Sequence, residues 1–258
     1  MAERYVIAKP GRQRRRKEPG RMEHEHSEQA IARRLSGAPS FSYLRDWVYG
    51  GIDGAVTTFA IVAGVIGAQL SSRVVLILGI ANLVADGFSM AASNYSGTKT
   101  EHEEQAHLRA IEERHIDAVP DGEREEIRQI FRGKGFSGRD LERAVDVITA
   151  DRERWVDTML AEEYGLPKAV RSPLKAAAST FASFVLCGAV PLLPFLVGAP
   201  AAFQMSIAMT ALVFFLIGST KSRWSPVSWW RSGGETMAIG LGAAALAFVI
   251  GYALKTLV

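Results

Sequence analysis

Cysteine is nearly absent from this chain, and its single copy, Cys187, lies in an apolar segment. A disulfide framework needs pairs of cysteines and a thiolate metal site needs several, so both are excluded. Charge is absent from long stretches: Gly54 to Ser72 and Thr236 to Leu254 run for 19 residues each without a charged side chain, and the 45 residues between Lys175 and Lys221 carry none. Because about 20 apolar residues cross a bilayer as a helix, these gaps in the charge indicate a membrane protein.

The uncharged stretches divide into five segments of spanning length. The 45-residue run is too long for one helix in a bilayer, and the turn sequence GAP at 198–200 divides it in two. Pro191 and Pro194 precede that turn and are expected to kink or unwind the third span. The sequence therefore predicts an all-α membrane protein with five transmembrane helices, four of them at about 48–70, 74–95, 201–219 and 235–255, and the third ending before the GAP turn.

The basic residues predict the orientation of these spans. Of the 30 Lys and Arg residues, 28 lie in alternate segments: before the first span, from Lys99 to Lys175, and in the loop 221–231. Since basic loops stay in the cytoplasm, we expect the N-terminus and a large insert there, and the C-terminus outside. The predicted parts are a tail at 1–45, spans one and two at 46–98, a cytoplasmic insert at 99–170, and spans three to five at 171–258.

The first 40 residues are charged and punctuated by Gly and Pro, which predicts that most of them are disordered. Its RQRRRK run at 12–17 suits a juxtamembrane segment near anionic lipid better than a nucleic-acid site. The HEH sequence at 24–26 could bind metal weakly, but a solvated tail is the favoured interpretation.

Three helices are predicted in the insert. The helix of span two has no breaker before Glu101 and should continue to about His115, where VPDG at 119–122 ends it. A short helix follows at 123–131. SGRD at 137–140 has the form of a capping box in which Ser137 caps a long helix to Tyr164, with Gly165 at its C-terminal end.

Candidate metal ligands share one face of the first insert helix. At about 100° per residue, four side chains fall in an arc of about 80°: Glu101, Glu104, Glu112 and His115. Carboxylates and imidazole suit Fe²⁺, Mn²⁺ or Zn²⁺. A charged, solvated face is the alternative interpretation. Met159 and Glu163 share a face of the last insert helix, although Met159 alone would be a core residue. Glu-x-x-His occurs twice, at 104–107 and 112–115, but both copies lie on one helix, so the bundle geometry of a di-iron enzyme is not met.

Acids also lie inside the predicted spans. Asp53 and Asp86 are costly at membrane depth and thus mark a functional site unless a basic partner neutralises them, and the spans carry no basic residue at depth. The second span carries a polar stripe at intervals of four residues, expected to face span one: Asn82, Asp86, Met90 and Asn94.

Four blocks of the sequence together resemble the vacuolar iron transporter (CCC1-like) family: DWVYGGIDGAVTTFAIVAGVIGA, ANLVADGFSMAASNY, CGAVPLLPF and SGGETMAIGLGAAALAFVIGYALK. The resemblance covers most of the chain from about residue 46. It implies five spans, a cytoplasmic three-helix metal-binding insert, a homodimer, and export of Fe²⁺ and often Mn²⁺ from the cytosol in exchange for protons.

The resemblance also implies roles for individual residues. Asp46 and Asp53 match two acids of the first span, and Met90 matches the methionine of the second. Five residues match metal ligands of the insert: Glu101, Glu104, Glu112, Met159 and Glu163. The chain departs from the family pattern in four places: Asn94 replaces a carboxylate, Asp86 a small residue, His115 a glutamate and Leu160 a second methionine.

The sequence thus predicts a metal/proton antiporter rather than an enzyme. Its partners would be divalent ions, protons, the bilayer and a second copy, with no nucleic acid and no permanently bound cofactor. We expect a bacterial-type member in the inner (cell) membrane. The alternative is a membrane-tethered metal sensor or store, in which the spans only anchor the insert.

Overall fold

The computed structural model describes residues 25–36, 41–167, 170–224 and 226–255, and the chain divides into two units, Met1–Ser40 and Phe41–Val258. In the first unit, the prediction of disorder is wrong for one segment, which forms the helix α1 at Glu28–Ser36. Residues 1–24, with the RQRRRK run and His24, lie outside the described residues, as do 37–40.

In its described residues, the second unit contains five helical segments long and apolar enough to cross a membrane, as predicted. They are α2 (Leu44–Gly67), α3 (Ser72–Ala118), α7 (Pro173–Ala189) with its continuation to Leu196, α9 (Ala202–Lys221) and α10 (Trp229–Lys255). All regular elements in the described part of the chain are helices. The fold class predicted from the uncharged runs is confirmed.

The third span is interrupted at its prolines, as the sequence predicts. A 3₁₀ turn at Val190–Leu192 separates α7 from the short α8 (Leu193–Leu196). Ser206 of α9 donates its hydroxyl hydrogen to the Pro191 carbonyl over 2.8 Å, so a neighbouring helix satisfies backbone that the break exposes. Gly198 then turns the chain with a φ of +64°, a value that glycine adopts without strain.

Helix α2 is the centre of the bundle, since it contacts α3, α7, α9 and α10. Glycines allow the closest of these contacts. A Cβ added at Gly54 would lie 2.3 Å from the Phe184 carbonyl oxygen of α7, and one at Gly251 of α10 would lie 2.3 Å from the Gly64 carbonyl oxygen. Each half of α2 therefore packs backbone to backbone against a different helix, as small residues permit in membranes.

The insert differs from the predicted three-helix arrangement. Helix α3 continues unbroken to Ala118, as expected, and three shorter helices follow: α4 (Pro120–Gly133), α5 (Gly138–Thr149) and α6 (Arg152–Glu162). The predicted long last helix is thus wrong. Asp151 divides it, because its side chain accepts a hydrogen bond from the Arg154 amide over 2.7 Å and so starts α6 as an N-cap.

Two other details of the insert concern its helix ends. The predicted capping box at Ser137 is wrong, since its side chain makes no capping hydrogen bond. The adjacent Gly138 has a φ of +56°, and this left-handed residue changes the angle at which the chain enters α5. The last insert helix ends at Glu162 with Glu163 as its C-cap, earlier than the predicted Tyr164, and Gly165 lies beyond this end with a φ of +66°. An apolar core joins the insert helices, with Ile127, Val145 and Trp155 among its buried members.

Candidate functional site

Three side chains of the insert meet in a cluster that suits a metal ion. Glu112 and His115 lie near the end of α3, Glu123 lies in the first turn of α4, and one potential ligand atom of each falls within 4.8 Å of the others. His115 Nδ1 is 3.5 Å from Glu123 Oε1 and 4.0 Å from Glu112 Oε1. The two carboxylates are almost fully buried, with 1% of Glu112 and 5% of Glu123 exposed.

The local sequence explains why these acids are buried. Val119 ends α3 and Pro120 begins α4 at once, so the two helices meet at a single residue. One turn beyond each acid lies a buried isoleucine, Ile116 after Glu112 and Ile127 after Glu123. Each carboxylate therefore belongs to the same helix stripe that packs the apolar core of the insert.

The cluster is electrostatically unfavourable without a cation. Glu112 Oε2 and Glu123 Oε2 are buried and have no hydrogen-bond partner among the described residues, while Glu112 Oε1 accepts from the Tyr164 hydroxyl over 2.9 Å. Burial, together with Glu126 and Glu112, raises the pKa of Glu123 to about 7, although His115 opposes this rise. Buried polar atoms without partners are rare, and a bound ion would satisfy these two.

A fourth carboxylate, Glu163 at the end of α6, belongs to the same group. Burial and then the charges of Glu112 and Glu126 raise its pKa, so the four acids interact with one another. A divalent cation among them would offset both their repulsion and their lost hydration. Oxygen ligands with one imidazole match Mn²⁺, Fe²⁺ and Zn²⁺.

The structure divides the predicted insert ligands into two groups. Glu112 and His115 come together and Glu163 lies near enough to interact electrostatically with Glu112, but Glu101 and Glu104 lie exposed on α3. At 1.5 Å per residue, Glu101 is about 16 Å and Glu104 about 12 Å from Glu112 along the helix axis. The angular projection placed them on one face but ignored this rise, so they cannot bind the same ion as Glu112.

Met159 and two of the three glutamates of α4 complete the account of the insert. Met159 is fully buried in the apolar core with Trp155 and Leu160. Glu123 and Glu126 were missed from the sequence, where they read as part of a charged helix. The signal for Glu123 was its spacing of four from Ile127, which assigns it to the buried stripe.

The polar stripe of α3 faces α2, as predicted. Asn82 donates its side-chain amide to the Thr57 hydroxyl over 3.3 Å, and Thr57 in turn donates to the Asp53 carbonyl. Asp86 lies close enough to Asp53 for the two carboxylates to repel each other when ionised. Met90, next along the stripe, is partly buried against the apolar core of the bundle.

The end of the stripe meets Asp46, in the first turn of α2. Asn94 donates to Asp46 Oδ1 over 3.0 Å and to the Thr180 hydroxyl over 2.7 Å. Arg171, just before α7, donates to Asp46 Oδ2 over 2.8 Å. The expectation that no basic partner is available concerns Asp53 and Asp86, whereas Asp46, at the start of the first span, pairs with Arg171. Sequence reasoning missed Arg171 because it lies 125 residues away and no local pattern connects the two.

The VIT family model matches residues 44–252, which include every group described above. The chain belongs to the VIT family. Vacuolar iron transporter 1 of Arabidopsis thaliana is 33% identical over 212 residues, covering 80% of this chain and 84% of the relative. The vacuolar iron transporter of Toxoplasma gondii is 34% identical over 196 residues, covering 71% and 65%. Vacuolar iron transporter 1 of Eucalyptus grandis is 32% identical over 218 residues, covering 83% and 87%.

Membership of the VIT family confirms the resemblance predicted from the four sequence blocks. The members are multi-pass membrane transporters and not enzymes, as expected. The relatives are named for the vacuole. A bacterial-type member in the inner membrane stays a prediction.

Proposed function

We propose that this VIT family protein exports Fe²⁺, Mn²⁺ or both from the cytosol in exchange for protons. The observation that carries the proposal is the pair Asp53 and Asp86, two carboxylates in neighbouring spanning helices that are close enough to interact electrostatically. Neither carboxylate has a basic partner among the residues that the structure describes. Acids in this position are costly unless function requires them, and a helix that only anchors the insert does not.

The chemistry of the pair suits exchange. The repulsion between two ionised carboxylates is relieved either by a divalent cation between them or by protons on them. One site therefore holds metal or protons but holds both poorly, which is the competition that an antiporter requires. The side-chain oxygen of Asn82 and the thioether of Met90 lie on the same helix stripe and could add ligands.

The insert supplies the other part of the proposed cycle. Its cluster of Glu112, His115, Glu123 and Glu163 would collect metal at the membrane surface. The excess of Lys and Arg in the insert itself, before the first span and in the loop 221–231 supports a cytosolic position for the insert. With five spans, the N-terminus would be cytosolic and the C-terminus outside, and we propose that the protein works as a homodimer.

Transport by the purified protein in liposomes tests the function. An imposed pH gradient should drive accumulation of Fe²⁺ or Mn²⁺, and collapsing the gradient with a protonophore should stop it. Comparison of the two ions would set the preference. Tight metal binding without gradient-driven transport would contradict the proposal and favour the alternative, a membrane-tethered metal sensor or store, because the insert cluster could act alone.

Orientation is tested separately by cysteine labelling in sealed cells, after replacement of Cys187. A membrane-impermeant reagent should label a cysteine at Ala199, in the turn before α9, and should miss one at Ser137 in the insert. Efficient labelling at Ser137 would overturn the proposed orientation.

A further inference from the structure

Asp46 lies at the end of the α2–α3 stripe, and its carboxylate already holds a cation. The guanidinium of Arg171 contacts one oxygen and the Asn94 amide contacts the other. Only 2% of the Asp46 side chain and 17% of the Arg171 side chain are exposed. Asp46 stands two helical turns before Asp53, so both acids lie on the same side of α2.

Oxygen-bearing side chains lie near Asp46, although Asn94 turns its NH₂ group, and not its oxygen, toward the carboxylate. Besides the carboxylate, the Asn94 side-chain oxygen accepts from the Thr98 hydroxyl over 3.4 Å, and the Thr180 hydroxyl lies against the Asn94 amide. Carboxylate, amide and hydroxyl oxygens are the ligands that hard divalent cations prefer. In this structure the guanidinium takes the position that such an ion would occupy at Asp46.

Hydrogen bonds fix the main chain at Arg171, whereas the long Arg171 side chain has several rotatable bonds. The Arg171 carbonyl oxygen lies 2.6 Å from His102 Nε2, which must be the donor because a carbonyl only accepts. The next amide, of Ser172, donates to the Tyr43 hydroxyl over 3.0 Å. The guanidinium could thus leave Asp46 by rotation of its side chain while the main chain stays in place.

We propose that Arg171 is a tethered competitor that occupies the cation position at Asp46 and must withdraw before a divalent ion binds there. This inference rests on the proposed transport function. An arginine suits the role because it keeps its charge at every physiological pH. Protons can neutralise a carboxylate, but they do not change the charge of the guanidinium. A tethered group acts at a high effective concentration, and only an ion that binds Asp46 strongly displaces it.

Direct Mn²⁺ binding tests the inference without relying on transport. The full-length protein with the insert cluster removed (Glu112→Gln and Glu123→Gln) is the background, and Mn²⁺ binding is followed by electron paramagnetic resonance. Adding Arg171→Gln should tighten binding by about tenfold, the loss of a competitor at millimolar effective concentration. Arg171→Lys, which keeps a tethered charge, should stay within about threefold of the background. Unchanged affinity in the Arg171→Gln protein would overturn the inference.

Transport separates the competitor from a purely structural ion pair. In the otherwise unaltered protein, Arg171→Gln should lower the half-saturating metal concentration, whereas loss of a structural pair would lower only the maximal rate and the melting temperature. Because an unpaired buried acid can prevent folding, Asp46→Asn with Arg171→Gln removes both charges. If Asp46 binds the ion, the double variant should fold but transport metal poorly. A half-saturating metal concentration and a maximal rate equal to those of the wild type would overturn the inference. Absence of transport in the unaltered protein would instead contradict the proposed function.

Discussion

The insert and the spans both bring acids together, but they leave those acids in different states. In the insert, Glu112 and Glu123 are buried beside the imidazole of His115, and each keeps one oxygen without a partner among the described residues. Between α2 and α3, Asp46 is already paired with the guanidinium of Arg171, and Asp53 lies near a second carboxylate, Asp86, so that either a metal or protons can relieve their repulsion.

The contrast distinguishes a site that binds from a site that releases. A cluster with unsatisfied buried oxygens gains most from an ion and should hold it tightly. A carboxylate that already has a substitute cation, or that exchanges metal for protons, binds more weakly and lets the ion pass. Transport needs the second kind of site along the path, and capture needs the first kind at the entrance.

Asp53→Asn should produce the largest effect. The substitution keeps the shape of the side chain and removes its charge and its exchangeable proton, so gradient-driven transport should be abolished. Metal binding by the insert should be unchanged, since the two sites share no residue. Transport in liposomes and calorimetry on the same preparation check both statements. Wild-type transport by this variant would show that the two regions do not differ as described.

The insert cluster can be tested against the ligands first predicted from the sequence. Glu112→Gln with Glu123→Gln should weaken metal binding by about a hundredfold or more, because two charged ligands are lost. The matched control, Glu101→Gln with Glu104→Gln, removes the same charge from the same region and should change the affinity by less than about threefold, as expected for exposed charges. Equal losses in the two proteins would mean that the solvated face, and not the cluster, binds the ion.

Much of this arrangement was predictable from sequence, and the errors have a common cause. Apolar length, Pro191 and the absence of a breaker after Tyr95 predicted the spans, the interruption of the third and the long α3. These features depend on neighbours along the chain. Periodicity assigns Glu123 to the buried stripe of α4, but its place beside Glu112, like the role of Arg171, comes from contacts between elements that helix periodicity does not contain. The local sequence allows Asp151 either inside a helix or at an N-cap, and tertiary packing decides between the two.

The raised pKa of Glu123 predicts a smaller effect, on stability. Between its ordinary value of 4.5 and its folded value of about 7, the folded protein retains a proton that the unfolded chain has lost. The free energy of unfolding of the metal-free protein should therefore fall as the pH rises through this window. We expect a melting temperature several degrees lower at pH 7.5 than at pH 5, followed by calorimetry with a chelator present.

Two comparisons sharpen the pH prediction. Glu123→Gln should flatten the dependence, leaving the smaller contribution of Glu163, whose pKa is raised in the same direction. Metal affinity should show the opposite trend and weaken below about pH 7, since binding must displace the proton. A melting temperature that rises between pH 5 and 7.5 would contradict the assigned environment of Glu123.

Tyr164→Phe should have the smallest effect. It removes the hydrogen bond that orients the Glu112 carboxylate but leaves every proposed ligand in place. Such supporting contacts commonly contribute about tenfold to metal affinity, and an exposed tyrosine should contribute less. Calorimetric titration with Mn²⁺ measures the change in affinity relative to the unaltered protein. A loss as large as that of the double glutamine variant would make Tyr164 a ligand.

Helix α3 carries residues of both regions on one unbroken rod. From Asn82 to His115 the separation is 33 positions within Ser72–Ala118, or about 50 Å of helix. An unbroken helix transmits a rotation at one end to the other end. If binding of an ion drew α4 and α6 closer around His115 and rotated the end of α3, Asp86 and Asn94 would rotate as well. Binding of a metal ion at the insert would then change the distance between Asp53 and Asp86.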